Sequence, residues 1–246
     1  MTPTKNADPL ISWLDDPAAR QAALAGGKGA SLAALRQNGF PVPDGFVIGT
    51  AAYRRFVAAN DLEPAIAAAL AGAEAADSAG LERAAGAIHA AFMAAAIPDE
   101  VRAAIIAAYD RLGRPPAAVC SSAVAEDSAA ASFAGQHETF LGLDGEAALL
   151  AAVKGCWASL WTGRALAYRR QRGLDADWRE EALAVVTQRM VAAETAGVLF
   201  TCNPLTDSRD ELVINAAPGL GEALVSGQVA PESIIIDRRS GAVLER

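Results

Sequence analysis

The chain has 246 residues, of which 52% are hydrophobic and 20% charged, and its formal net charge is −8. That length and composition can bury a core, so extensive disorder is excluded. The acidic balance argues against a broad phosphate-binding face for nucleic acid, and no apolar run reaches the ~18–20 residues of a membrane-spanning helix.

Taken in chain order, residues 1–8 read as a frayed lead-in without the apolar core of a signal peptide. Residues 18–24 predict helix, stopped by Gly26-Gly27-Lys28-Gly29. A second helix over 30–37 carries Leu32 and Leu35 on its apolar face and ends at Asn38-Gly39. Pro41-Val42-Pro43-Asp44-Gly45 is a turn and Phe46-Val47-Ile48 a short buried strand. Helix resumes near Thr50, a candidate N-cap.

Residues 63–112 read as two or three Ala-rich helices, with Pro64 opening the first and breaks near Asp77-Ser78 and Pro98-Asp99. After Pro115-Pro116 the character changes. Residues 117–120 predict a strand, 121–137 a polar loop, and 139–143 a strand. Helices follow over 146–160 and 164–172, then β-rich segments over 182–191, 196–201 and 211–215. A short helix follows Gly219, and a hairpin with Ser240-Gly241 at its turn closes the chain. The pattern predicts a mixed α+β fold in two lobes.

The cysteines Cys120, Cys156 and Cys202 are odd in number and form no CxxC pair, so neither a disulfide framework nor a zinc site is indicated. The reading is of a reduced, cytoplasmic protein. Cys156, Trp157 and Trp161 read as core residues on a helix, and Leu199 and Phe200 as core residues on a strand. His89 reads as structural and His137 as a loop residue.

Two segments suit anion chemistry. In Gly26-Gly27-Lys28-Gly29, glycines let backbone N–H groups approach an anion, a helix start adds partial positive charge, and Lys28 adds a full one. Lysine occurs only three times, so a Lys between glycines stands out against the Arg used elsewhere. The segment is not a Walker A loop, because Ala22 and Gly29 stand where Gly and Ser or Thr are required. A glycine-rich helix cap with a solvated Lys is the competing reading. The second segment leaves a strand at Cys120-Ser121-Ser122 and runs through Ser132-Phe133-Ala134-Gly135-Gln136-His137-Glu138-Thr139. Its hydroxyls and flexible Gly suit a phosphate clamp, with an ordinary polar loop as the alternative.

Together these motifs, with Gly-Phe-Pro-Val-Pro-Asp-Gly-Phe-Val at 39–47, Gln188-Arg189-Met190-Val191, Asn203-Pro204 and Gly219-Leu220-Gly221-Glu222, carry a family likeness. The chain resembles the N-terminal ATP-binding domain of phosphoenolpyruvate synthase, pyruvate phosphate dikinase and rifampicin phosphotransferase. The resemblance implies an ATP-grasp-like fold with ATP and Mg2+ held between two lobes. It assigns residues 9–187 to the first lobe, with a helical insert over about 60–114, and 188–246 to the start of the second. ATP would phosphorylate a His on a swivelling domain, on a continuing or a separate chain. That domain would pass the group to a substrate domain.

By the same resemblance, Lys28 matches the lysine on the ATP phosphates, and Gly135 and Thr139 the mobile loop that closes over them. Phe140 falls at a nucleotide contact, Gln188 where the adenine edge is read, and Met190 offers an apolar wall to the base. Two departures stand out. Cys120 occupies the position of a family Arg, so a guanidinium that would hold the polyphosphate bidentately is missing. The family's Asp-Ile-Glu-Trp and Gln-x-Arg-Pro segments, which hold magnesium and phosphate, are expected beyond Arg246. A degenerate nucleotide-binding or regulatory module without catalysis is therefore the alternative to a working ATP domain.

Overall fold

A computed structural model describes residues 8–72, 78–124, 127–128, 131–132, 138–172 and 178–246. The chain divides into two compact units, residues 1–190 and 191–246.

The first unit is built on an antiparallel five-stranded sheet. Its strands are β1 (Ile11–Trp13), β2 (Gly45–Ile48), β3 (Ala117–Ala123), β6 (Thr139–Leu143) and β7 (Leu183–Arg189), in the order β1-β2-β7-β3-β6. The two-residue strands β4 (Asp127–Ser128) and β5 (Ala131–Ser132) form a separate small pair. Helix α1 (Ala22–Gln37) follows a 3₁₀ turn over Pro17–Arg20. Helices α2 (Thr50–Ala59), α3 (Glu63–Ala71), α4 (Ser78–Ala94) and α5 (Asp99–Leu112) lie between β2 and β3. Helices α6 (Gly145–Ser159) and α7 (Gly163–Arg172) lie between β6 and β7.

Alternation along the strands sorts the core into two layers. Phe46, Ile48, Ala117, Val119, Leu183 and Val185 join the larger cluster with Phe56, Phe92, Ile105 and Trp157 from the helices. Their neighbours Val47, Ala184 and Val186 point to the other face and pack with Ala25 and Ala33 of α1. Alanine-rich helices supply little area per residue, so the few large side chains carry the packing. Tyr53, Phe56, Ile66, Ile88, Phe92 and Tyr109 are each buried. Phe56 lies 4.8 Å from Trp157 between ring centroids, and Trp161 Nε1 donates to the Tyr53 hydroxyl at 3.0 Å. Cys156, Trp157 and Trp161 are core residues, as their sequence positions indicate.

Several local expectations change. Thr50 is the first helical residue rather than the N-cap, which is Gly49; its hydroxyl donates to the Ala23 carbonyl at 2.9 Å and so ties α2 to α1. The strand β1 was not expected: three residues are too few to show a period, and it forms by pairing with β2. Strand β3 runs on through Ser121 and Ser122, where the polar composition predicts loop. Both serines are fully buried and paired with β7.

The second unit is an antiparallel sheet of β8 (Thr195–Phe200), β9 (Glu211–Pro218), β10 (Glu232–Asp237) and β11 (Val243–Glu245), in the order β11-β10-β9-β8, with the short helix α8 (Gly221–Val225). The closing hairpin is held by Asp237, whose carboxylate accepts from the Ser240 N–H at 2.7 Å. Leu199 and Phe200 are 53% and 37% exposed, not core. They lie on β8, the edge strand, where apolar periodicity says nothing about whether a covering layer exists. No helix among the described residues is long and apolar enough to cross a membrane.

Candidate functional site

The glycine segment does not end α1; it interrupts it. Only Gly26 leaves helical geometry, at φ 71° and ψ 171°, and helix resumes on its far side through Gln37. This backbone region is open essentially to glycine alone. In a continuous helix the Gly29 N–H would donate to the carbonyl of Ala25, four residues back. Here the Ser122 hydroxyl stands between them. It accepts from the Gly29 N–H at 3.0 Å and donates to the Ala25 carbonyl at 2.8 Å. A side chain inserted into the helical ladder is an ordinary cause of a kink. Lys28 consequently sits in the first turn of a restarted helix, where N–H groups lack acceptors of their own and the dipole favours an anion.

Strand register shows what shares that face of the sheet. Ser122 touches α1, so Cys120 and Ala118, at two-residue intervals, point the same way. Cys120 is paired with Val186, which packs in the α1 layer, and with Thr139. Gln188 is paired with Ala118, and its amide donates to the Pro43 carbonyl at 3.1 Å. Met190 follows the end of β7, its N–H on the Pro116 carbonyl at 2.8 Å. Lys28, Cys120, Thr139 and Gln188 therefore belong to one side of the sheet. Phe140 does not. Its ring packs on α6, where a Cβ on Gly155 would lie 2.7 Å from the ring. Gly135 and His137 lie outside the described residues.

Next to Thr139, one backbone oxygen gathers several donors. The Glu138 carbonyl accepts from the Ser121 N–H at 3.2 Å and the Ser121 hydroxyl at 3.3 Å. The Cys156 thiol reaches the same oxygen at 3.9 Å. Burial pushes that thiol far above its ordinary pKa. Cys120 and Glu138 raise it further and Lys28 opposes them. Lys28 lies on α1, and Cys120 lies on the face of β3 that α1 covers, paired with Val186 of that layer. A consequence of the buried Cys156 thiol is graded thiol reactivity, because the thiolate is the nucleophile. Mass spectrometry after brief iodoacetamide treatment of the folded chain should find exposed Cys202 labelled and buried Cys156 unlabelled. Equal labelling of the two would contradict the packing of α6.

Sequence reasoning missed Ser122 and Gly26 as a pair. The only signal was a Ser-Ser following a strand, and nothing in it specifies a partner 93 residues away. Among the described residues no group of three or more His, Cys, Asp or Glu side chains is gathered as a metal site.

Residues 22–246 match the family described as "Pyruvate phosphate dikinase, AMP/ATP-binding domain". The chain is 41% identical to the probable phosphoenolpyruvate synthase of Methanocaldococcus jannaschii over 243 residues, covering 96% of this chain and 20% of that protein. It is 40% identical to the phosphoenolpyruvate synthase of Aeropyrum pernix, covering 96% of this chain and 29% of that protein. It is 42% identical to the rifampicin phosphotransferase of Streptomyces sviceus, covering 92% of this chain and 26% of that protein. The chain spans less than a third of the length of each.

Proposed function

The chain belongs to the pyruvate phosphate dikinase AMP/ATP-binding domain family, and from that premise we propose that it binds ATP as the nucleotide-binding part of a phosphoenolpyruvate-synthase-like dikinase or phosphotransferase. Lys28 and the restarted helix neutralise the phosphates. Gly135 and Thr139 contact them from the other side. Gln188 and Met190 meet the adenine. The two units correspond to the first lobe and the start of the second lobe of an ATP-grasp-like domain acting in the cytoplasm. Phosphoryl transfer runs to a His on a swivelling domain, and Mg2+ is held by residues outside those described. Such transfer rests mainly on positioning and charge neutralisation, which fits a site made of a helix start, a Lys and loop N–H groups.

The observation that carries the reading is the interrupted helix, with Lys28 at its restart and Cys120 on the strand face that packs against α1. Calorimetric titration with Mg-ATP tests it. The unaltered chain is expected to bind, and Lys28→Ala to weaken binding by about 10- to 100-fold, the range for one hydrogen bond to a charged group. No binding of the unaltered chain at millimolar ATP would refute it. A second reading, a non-catalytic nucleotide-binding module, is favoured by Cys120, since neither a thiol nor a thiolate supplies the missing positive charge.

A further inference from the structure

We propose that Ser122 is the positioning residue for the phosphate end of the site, acting through Lys28 rather than touching nucleotide. The inference rests on the ATP-binding reading above and assigns a residue that the reading does not use.

The serine is fully buried. Its two hydrogen bonds bridge the Gly29 N–H and the Ala25 carbonyl, which lie on either side of the Gly26 break. That bridge ties both halves of α1 to β3 at the break and fixes where the second half begins. Lys28 lies between the two bonded residues, one position before Gly29. Its backbone direction is thus fixed by a serine on β3, an interior strand paired on both sides by β7 and β6. Without the hydroxyl, the Gly29 N–H and Ala25 carbonyl are left buried and unpaired, or the helix closes on itself and Lys28 turns away. Either outcome misplaces a charge whose value depends on geometry.

Ser122→Ala, checked for folding by circular dichroism, should weaken ATP binding about tenfold, which is ~1.4 kcal/mol. AMP, which lacks the outer phosphates, should lose less than about twofold on the same principle. Lys28→Ala should then cost much less in the Ser122→Ala background than in the unaltered chain, since coupled residues are non-additive. If Ser122→Ala does not fold, Ser122→Cys, which fills the space with a weak donor, replaces it in the same series. Unchanged ATP affinity, equal losses for ATP and AMP, or additive effects with Lys28→Ala would each overturn the assignment while leaving ATP binding standing. Failure of the unaltered chain to bind ATP would overturn both.

Discussion

Gly26→Ala is expected to destabilise the first unit by about 4 kcal/mol, adding backbone strain to overpacking. The residue sits at φ 71° and ψ 171°, a conformation that side chains of L-residues do not tolerate. A Cβ there would lie 2.1 Å from the Ser122 carbonyl oxygen and 2.3 Å from its hydroxyl. The nearer of these is backbone, so no rotamer change relieves the collision, and β3 cannot retreat without breaking its pairing with β7. Urea unfolding followed by tryptophan fluorescence measures the loss, because Trp157 and Trp161 report on this unit's core. A loss below about 1 kcal/mol, the scale of an unremarkable substitution, would mean that the kink is not rigidly held. The Ser122 argument would then lose its structural basis.

Cys120→Arg should act in the opposite direction and raise ATP affinity, by about 10- to 100-fold for a charge-assisted, bidentate contact. Position 120 is only partly buried and shares its face of the sheet with Ser122 and Thr139. A guanidinium there can reach outward without being desolvated whole. The gain should appear in calorimetry with Mg-ATP at little change in unfolding midpoint. In an assembly that carries the phosphoryl-accepting domain the effect on rate should be larger, since an arginine aimed at a transferring phosphoryl group contributes about 10³–10⁵ in other enzymes. Unchanged affinity would place β3 away from the phosphates. A gain in binding without any gain in transfer would favour the non-catalytic module.

Much of the first unit was legible in the sequence because its signals are local. The Asn38-Gly39 stop, the Pro98 break before α5 and the run Phe46-Val47-Ile48 each rest on backbone preferences or hydrophobic run length. The segment Gly26-Gly27-Lys28-Gly29 was legible as chemistry suited to an anion, with a glycine-rich helix cap as the competing reading. Its conformation was misjudged. Four residues that read as a full stop are a one-residue kink, because the bond that the break costs is remade by a serine from elsewhere in the chain. Leu199 and Phe200 failed for the complementary reason. Their apolar character is local, but burial depends on what lies over β8.

The sequence by itself determined most of the element types, the family and the chemical nature of the candidate residues, since these follow from side-chain chemistry and short-range spacing. Tertiary structure alone decided which of them meet. It put Cys120, Thr139 and Gln188 on the face of α1, turned Phe140 into the opposite layer, and inserted Ser122 into a helix whose sequence does not contain it. Sheet register makes those choices. Shifting a strand by one residue exchanges its faces, and register is settled by pairing between segments far apart along the chain.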